Sequence, residues 1–400
     1  MKSSSSDKPH IAIACGGTGG HLFPGIAVAG QLAERGVAVT LMISPKEIDQ
    51  VAVRSAQAVQ VVTLPAVGLT RGRMVAFVRG FLGSYRAASK FFREYPPQGA
   101  LAMGGFTCAP PVLAARRFGA ATFLHESNSI PGRANRWLSW RVDRAFVGFP
   151  SAGKRLHKCS VAVTGTPVRP AFRPIEPAKC RAALGLDPEK PVALVMGGSQ
   201  GAHGINELVL KSLPVLASLG PDWQWIHLSG PADADSLKGA YQTLGLRAVV
   251  HSFFAEMEIA MGAATACISR AGASSLAELA AMRLPAVLVP FPAATDNHQF
   301  ENARAFEKTG AAFLLQQDRT RPEDLERVFI PLMRDEAVRS RMRDALDAWH
   351  KPDAASEIAQ AILSSVNILA GGFLRSAPQS GPKDPANDRA CLSVREGSVA

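Results

Sequence analysis

The chain has 400 residues, a formal net charge of +11, and a composition that is 47% hydrophobic and 19% charged. This length suits two α/β domains of ordinary size, and the hydrophobic content excludes a chain that is disordered overall. Apolar runs such as residues 285–292 are far shorter than the roughly 20 residues that span a bilayer, and no secretory signal precedes residue 11. We therefore expect a cytoplasmic protein.

The cysteines and the net charge narrow the class of partner. Six cysteines are scattered without a CxxC pair, which argues against a disulfide framework and against a zinc site. The positive charge indicates an anionic partner, such as anionic lipid or a phosphorylated substrate. Because helix-turn-helix, zinc-finger and RNA-binding signatures are absent from the sequence, we expect no nucleic-acid partner.

In chain order, both halves read as strand, glycine turn and helix. The first half has apolar residues 10–15, the glycine turn 16–20, a helical pattern at 26–35 and further strands at 37–44, 100–103, 122–125, 145–149 and 161–164. The second half has a strand at 191–196, the glycine turn 197–201, a helix at 205–219 and strands at 225–229, 248–253, 265–269 and 286–289. Apolar strands alternating with helices predict parallel sheets covered on both faces.

Composition sets the expected boundaries. Proline-rich residues 167–174 lack periodicity, which predicts two domains at 9–168 and 175–350 with a ligand cleft between their carboxyl strand ends. Residues 371–400 are rich in Gly, Ser, Pro and Asp, and we predict a disordered tail there.

The glycine turns indicate phosphate chemistry or simply tight turns. A glycine turn before a helix aims backbone N–H groups at one point, which suits phosphate. The first turn lacks the Lys-Ser/Thr of a P-loop, and the second strand ends at Ser44 and Pro45 where a dinucleotide fold needs an acidic residue. ATP hydrolysis and NAD binding are therefore disfavoured, and we expect no cofactor.

Residues 269–302 carry a third candidate phosphate site. A strand ends at Ser269, a turn of small residues follows, and Glu278 lies about one turn inside the next helix, where its carboxylate could bind two ribose hydroxyls or simply face solvent. The polar pair His298 and Gln299 on the next loop favours a site. A separate Asp233-Ala234-Asp235 sequence is compatible with a metal-binding DxD motif, but also with a helix cap.

Residues 71–93 combine basic and aromatic side chains without an acidic residue. This pattern suits anionic lipid headgroups, but also an ordinary amphipathic helix whose basic side chains face water. We expect membrane contact through Phe77, Arg79, Phe81, Arg86, Trp137 and Trp140, with Arg133, Arg136 and Arg141 extending the surface.

Five motifs together resemble the MurG family of bacterial N-acetylglucosaminyltransferases, glycosyltransferase family 28, over residues 9–370. They are residues 16–21 with Pro24 and Gly25, 125–128, 165–169, 197–202 and 269–302. The resemblance implies a GT-B fold, with two Rossmann-like doubly wound α/β domains facing across a cleft and a C-terminal helix at 353–369 that packs back onto the first. It also implies a hexosyltransferase of peptidoglycan synthesis, acting peripherally at the cytoplasmic face of the inner membrane. Such an enzyme transfers GlcNAc from UDP-GlcNAc to the MurNAc 4-hydroxyl of lipid I, with inversion and without a metal, and so forms lipid II.

The resemblance also implies roles for individual residues. Phe254 would hold uracil, Glu278 the ribose, and Ser199, Gln200 and Gly201 the diphosphate. Thr18 and Gly19 belong to the same expected donor site. Ala273, Ser274, His298 and Gln299 would line GlcNAc, while Asn128 and Arg169 approach from the first domain. His298 departs from the paired glutamines of some members, and Phe106 replaces a tyrosine.

For the catalytic base, we expect His21, because a helix start should keep its imidazole neutral. His21 could instead bind an acceptor phosphate or its own loop. Glu126 is the rival base, or the partner in a structural hydrogen bond. Arg169 and Arg270 are expected to stabilise the leaving diphosphate. Three other functions stay open: a diacylglycerol glycosyltransferase, a UDP-sugar epimerase, and a non-catalytic sugar-nucleotide binding protein.

Overall fold

The computed structural model describes residues 8–16, 19–45, 59–65, 74–198 and 201–375. Within these ranges the chain forms two parallel β-sheets, one of seven strands and one of six, each flanked by helices. The doubly wound α/β architecture predicted from the sequence is confirmed.

The first sheet has the strand order β3-β2-β1-β4-β5-β6-β7. Its strands are β1 (His10–Ala14), β2 (Ala38–Ile43), β3 (Gln60–Thr63), β4 (Gly99–Ala102), β5 (Ala121–Glu126), β6 (Arg144–Val147) and β7 (Ser160–Val163). Its helices are α1 (Gly19–Glu34), α2 (Met74–Glu94), α3 (Ala109–Arg117), α4 (Arg133–Leu138) and α5 (Pro150–Gly153). The central strands β4 and β5 are buried along their whole length, as helices on both faces require.

The second sheet has the order β10-β9-β8-β11-β12-β13. Its strands are β8 (Val192–Met196), β9 (Gln224–Leu228), β10 (Ala248–His251), β11 (Ala266–Ser269), β12 (Ala286–Leu288) and β13 (Phe313–Leu314). Its helices are α6 (Pro177–Ala183), α7 (His203–Leu219), α8 (Ala234–Thr243), α9 (Met257–Ala263), α10 (Ala273–Ala281), α11 (His298–Lys308), α12 (Pro322–Arg334) and α13 (Glu336–Trp349).

The last helix, α14 (Ala354–Arg375), returns to the first sheet. Ile358, Ile362 and Val366 are buried in the same core cluster as β1 and α1. The tail was predicted to start at residue 371, and α14 continues to Arg375. Residues 376–400 lie outside the described part of the chain.

An aromatic cluster joins the two sheets near their connection. Phe149, which precedes α5, is 4% exposed and lies in the hydrophobic core of the second sheet. Its ring centroid is 5.3 Å from that of Trp349, which stacks on Phe306 at 4.3 Å. Since such rings bury large apolar areas, this cluster fixes one side of the contact between the halves.

Candidate active site

The carboxyl ends of the two sheets face each other across a cleft, and the starts of α1 and α10 meet there. Pro24 lies inside α1 and has no N–H to donate to the carbonyl of Gly20, four residues earlier. The hydroxyl of Ser274, in the first turn of α10, donates to that carbonyl at 2.8 Å. The carbonyl of Gly20, which lacks a donor within α1 because of Pro24, thus accepts a hydrogen bond from the second domain.

His21 lies in the first turn of α1 and is partly buried. Its ring packs on Gly104, where a Cβ atom would lie 2.6 Å from Cε1 of the imidazole. Gly104 also has a φ of 124°, so both the space and the backbone require glycine. The loop after β4 thereby holds the imidazole at the cleft, beside the positive end of α1.

His125 is fully buried beside this site. Its Nε2 donates to the carbonyl of Gly165 at 3.1 Å, and its Nδ1 accepts from the hydroxyl of Ser127 at 3.3 Å. Burial lowers the pKa of His125 to about 4. His125 is therefore neutral near pH 7, with both ring nitrogens in structural hydrogen bonds.

Glu126 is 1% exposed, and each of its carboxylate oxygens accepts two hydrogen bonds. Oε1 accepts from the backbone N–H and the side-chain amide of Asn128, at 2.8 and 3.0 Å. Oε2 accepts from the N–H of Gly132 and the amide of Asn135, both at 2.9 Å. Four donors occupy the lone pairs that a catalytic base would need, so the geometry favours the structural alternative.

The second glycine turn leads into α7 and is confined by its surroundings. Gly201 has a φ of 77°, and a Cβ there would lie 2.2 Å from the carbonyl oxygen of Ser229. Only glycine fits this backbone position. Thr18, Ser199 and Gln200 lie outside the described residues, while Gly19 is the first residue of α1.

The Asp233-Ala234-Asp235 sequence is not arranged as a metal site. Asp233 accepts hydrogen bonds from Asn206 at 2.7 Å and His203 at 3.0 Å, and it does not cap α8 with its side chain. Asp235 is fully exposed, 3.9 Å from Lys238. In the described ranges, no group of three or more His, Cys, Asp or Glu side chains could hold a metal ion.

The turn before α10 is held by Arg270. This side chain is 9% exposed, and it donates to the carbonyls of Val289 and Pro290 at 3.0 and 3.2 Å. Burial lowers the pKa of Arg270 to about 10, so the guanidinium is still charged near pH 7. Ala273 is buried at the helix start, next to Ser274. Arg270 therefore organises the loops that frame this helix N-terminus.

Glu278 and Arg169 meet between the domains. Burial raises the pKa of Glu278 to about 7; nearby Glu258 raises it further, whereas Arg169 opposes the shift. Arg169 lies 3.7 Å from Glu258, and its guanidinium is 4.5 Å from the ring centroid of Phe23 in α1. Since the cation lies against an α1 ring and pairs with a second-domain carboxylate, Arg169 contacts both walls of the cleft.

Two adjacent phenylalanines follow β10, and their rings differ in exposure. Phe254 is partly buried against the second core and stacks on His251 at 5.0 Å, so much of its ring is already in contact with protein. Phe253 is 57% exposed. Phe253, which the sequence analysis did not single out, is thus the more exposed ring of the pair.

The turn that carries His298 and Gln299 has an unusual backbone. Asp296 and Asn297 both adopt left-handed φ angles, 51° and 54°, which these two residue types tolerate better than most. His298 donates from Nδ1 to the carbonyl of Thr295 at 2.7 Å, and Gln299 accepts from the N–H of Phe291 at 3.0 Å. These bonds fix both side chains at the start of α11.

The same turn is attached to the first domain. Asp296 forms ion pairs with Arg136 at 2.7 Å and with Arg133 at 3.4 Å. Both arginines were expected to extend a membrane surface, and in the structure their guanidinium groups pair with Asp296 of the second domain. Asn302 adds a buried contact that sequence reasoning did not single out: its amide bonds to Asn128 and to the N–H of Ser129.

Helix α2 has apolar residues on its inward face and on its exposed face. Phe77 packs edge-on against Phe106 at 5.6 Å, and Phe81 packs against the first core, so both rings face the protein. The exposed apolar side chains are Met74, Val75, Val78 and Leu82, and Arg79 and Arg86 are exposed beside them. Within the described ranges, none of the helices combines the length and apolarity of a membrane span.

Trp137 and Trp140 are 39% and 51% exposed near the end of α4. Arg141 lies 4.2 Å from the ring centroid of Trp137, and Lys158 lies 4.7 Å from that of Trp140. Exposed indoles covered by cations form an amphipathic surface on the first domain.

Two family models match the chain: the glycosyltransferase family 28 N-terminal domain over residues 11–147 and the family's C-terminal domain over residues 192–358. A curated relative from Anaeromyxobacter dehalogenans (strain 2CP-1) is 33% identical over an alignment of 399 positions, which covers 94% of this chain and 100% of that protein. The chain belongs to glycosyltransferase family 28.

Other relatives agree on this family. A protein from Xanthomonas campestris pv. campestris (strain B100) is 38% identical over 88% of this chain and 81% of its own length. Both relatives are named UDP-N-acetylglucosamine–N-acetylmuramyl-(pentapeptide) pyrophosphoryl-undecaprenol N-acetylglucosamine transferase. Among solved structures, MurG from Acinetobacter baumannii superposes with a TM-score of 0.71 at 27% identity, covering 89% of this chain and 99% of that one. The predicted GT-B fold is confirmed.

An epimerase-like structure also superposes. A putative UDP-N-acetylglucosamine 2-epimerase from Listeria monocytogenes gives a TM-score of 0.67 over 90% of this chain and 97% of its own, but at 13% identity. At that identity the likeness extends to the fold alone. The family matches therefore favour a transferase over an epimerase.

Proposed function

We propose that this protein transfers GlcNAc from UDP-GlcNAc to the MurNAc 4-hydroxyl of lipid I, forming lipid II, with inversion and without a metal. One observation carries this proposal: the N-termini of α1 and α10 are in contact. Helix α1 carries His21 in its first turn, and the hydroxyl of Ser274 in α10 donates to the carbonyl of Gly20 in α1. A helix start favours negative charge, which suits a diphosphate at α10. The acceptor then enters from the side of α1.

In this mechanism the donor lies on the second domain and His21 takes the acceptor proton. Glu278 as a carboxylate accepts hydrogen bonds from the ribose, and Phe253 or Phe254 covers the uracil. Backbone N–H groups at Ala273 and Ser274, together with Arg169, stabilise the leaving diphosphate, while Arg270 holds that loop. Asn128, His298 and Gln299 orient the sugar, and Glu126 positions Asn128.

Transfer of radiolabelled GlcNAc from UDP-GlcNAc to a lipid I analogue tests the reaction. We expect product in the presence of EDTA and none from UDP-galactose. Product from a diacylglycerol acceptor instead would favour the glycolipid alternative, and UDP-GlcNAc binding without transfer would favour a binding protein.

The role of His21 is tested by His21→Gln. A general base contributes about 10²- to 10⁴-fold, so kcat should fall within that range while the KM for lipid I changes little. A raised acceptor KM with near-normal kcat would instead assign His21 to binding an acceptor phosphate.

We also propose that the protein binds the cytoplasmic face of the inner membrane peripherally, through the exposed side of α2 and through Trp137 and Trp140. Apolar side chains flanked by arginines suit an anionic interface. Val78→Glu should reduce co-sedimentation with anionic vesicles. Val215→Glu is the matched control, because Val215 is 39% exposed in the second domain. An equal loss of co-sedimentation in both variants would contradict membrane binding through α2.

A further inference from the structure

One buried amide connects the two walls of the cleft. Asn302, in α11, is completely buried. Its Oδ1 accepts from the N–H of Ser129 at 2.8 Å, and its Nδ2 donates to Oδ1 of Asn128 at 3.1 Å and to the carbonyl of Ala271 at 3.2 Å. The first two partners belong to the first domain and the third to the loop before α10.

We propose that Asn302 is a positioning residue that aligns Asn128 with the N-terminus of α10. Only an amide combines one acceptor with two donors on a side chain of this size, and all three groups are used. Aspartate has the same shape but only acceptors when ionised. In an Asn302→Asp variant, the carbonyl oxygens of Asn128 and Ala271 would face a carboxylate oxygen and would lose their hydrogen-bond donor.

The hydrogen bonds continue on both sides of Asn302. Asn128 donates to the buried carboxylate of Glu126 at 3.0 Å, so its amide is held from two directions. Ala271 precedes Gly272, the N-cap of α10, so its carbonyl is tied to the position of that helix start. An error of about 1 Å in such alignment can cost on the order of 100-fold in rate.

Two other polar contacts between the walls are weaker candidates for this role. The pair Arg136–Asp296 is partly exposed, and ion pairs of that kind contribute little. The bond from Ser274 to Gly20 is likewise near the surface. Loss of the Asn302 amide, in contrast to these two, would leave buried groups without partners.

The test, which rests on the proposed transferase function, compares Asn302→Asp with Gln224→Glu. Gln224 is 1% exposed at the first residue of β9, at the sheet end away from the cleft, and its amide bonds only within the second domain, to Asp187 and Lys190. Both variants convert a buried amide into an acid. We expect Asn302→Asp to lower kcat by about 30- to 100-fold with the Kd of UDP within about 3-fold, and Gln224→Glu to keep kcat within about 2-fold.

Equal kcat in the two variants would overturn the proposal, as would a loss of UDP binding that matches the loss of kcat. A double-mutant cycle with Asn128→Ala and Asn302→Ala measures the coupling between the two residues in kcat, and it does not require the Asn302→Asp variant to fold. If Asn302 acts through Asn128, the double variant should be about as slow as the slower single variant, whereas multiplied effects would contradict the coupling.

Hydrogen exchange separates this inference from the function itself. The N–H of Ser129 donates to Asn302, so the peptide containing residues 127–132 should exchange faster in Asn302→Ala than in Gln224→Glu. Unchanged exchange would refute the contact. If wild-type protein showed no transfer, the proposed function would fail, but this readout would still decide the role of Asn302 in holding the domains.

Discussion

Replacing Glu126 by glutamine separates its two possible roles. The carboxylate is buried and accepts four hydrogen bonds, two at each oxygen. In Glu126→Gln one oxygen becomes an NH₂ group, which cannot accept. Two donors then lose their acceptor, either the pair from the half-buried Asn128 or the pair from the exposed Gly132 and the buried Asn135. Two fully buried donors would cost about 2–6 kcal/mol, and because water reaches Asn128 and Gly132 the free energy of unfolding should fall by about 1–3 kcal/mol.

The assay combines urea denaturation with a pH profile of kcat/KM. A positioning role predicts the loss of stability, lower activity and an unchanged acidic limb in the profile. A base role predicts a large loss of kcat with normal stability. Asn135→Ala is the matched control, because it removes one donor to Glu126, at 2.9 Å, without touching a titratable group. A variant of normal stability that loses kcat about 100-fold or more would refute our reasoning and restore Glu126 as the base.

Three further predictions follow from the contacts between the domains. Phe149→Ala removes a 4%-exposed ring from Trp349 and Phe306 and should cost about 3–5 kcal/mol in urea denaturation; a cost below about 1 kcal/mol would contradict the packing. Arg136→Ala should change kcat by less than about 2-fold, because its ion pair is partly exposed. Glu278, with its pKa raised to about 7, is more protonated in the folded than in the unfolded chain between its ordinary value of 4.5 and 7, so it lowers stability as pH rises through that window. Binding of uridine, which lacks the diphosphate, should conversely tighten from pH 6 to 8 as the carboxylate forms, and Glu278→Gln should abolish this dependence.

The predicted strands were located well because most of them are continuous apolar runs in parallel sheets. The two strands that sequence reasoning missed are edge strands. β3 is mostly exposed, with the sequence QVVT, and β13 has two residues. An edge strand packs on fewer neighbours, so its sequence carries a weaker hydrophobic pattern.

The start of α1 was placed too late for a related reason. The prediction began at residue 26, whereas the helix begins at Gly19 and includes Gly20 and Pro24. Glycine and proline disfavour a helix interior by local propensity, and tertiary contacts override that preference here. At α2 the sequence shows the basic and aromatic composition, but it does not show which aromatic rings face inward. The ring of Phe77 packs against Phe106, which follows β4.

The residues that sequence reasoning could not find are those whose function depends on the other domain. Asn302 reads as an ordinary polar residue of an amphipathic helix, and its burial becomes meaningful only when Ser129 and Asn128, more than 170 positions away, provide its partners. Pro24 is locally unfavourable in α1, but Ser274 of the second domain donates to the carbonyl of Gly20, which the proline leaves without a donor in the helix. In both cases a local feature that is unfavourable or neutral within one domain becomes a specific contact between the two domains. Positions in this chain where local rules and the fold disagree are therefore the places to look for residues that align donor and acceptor.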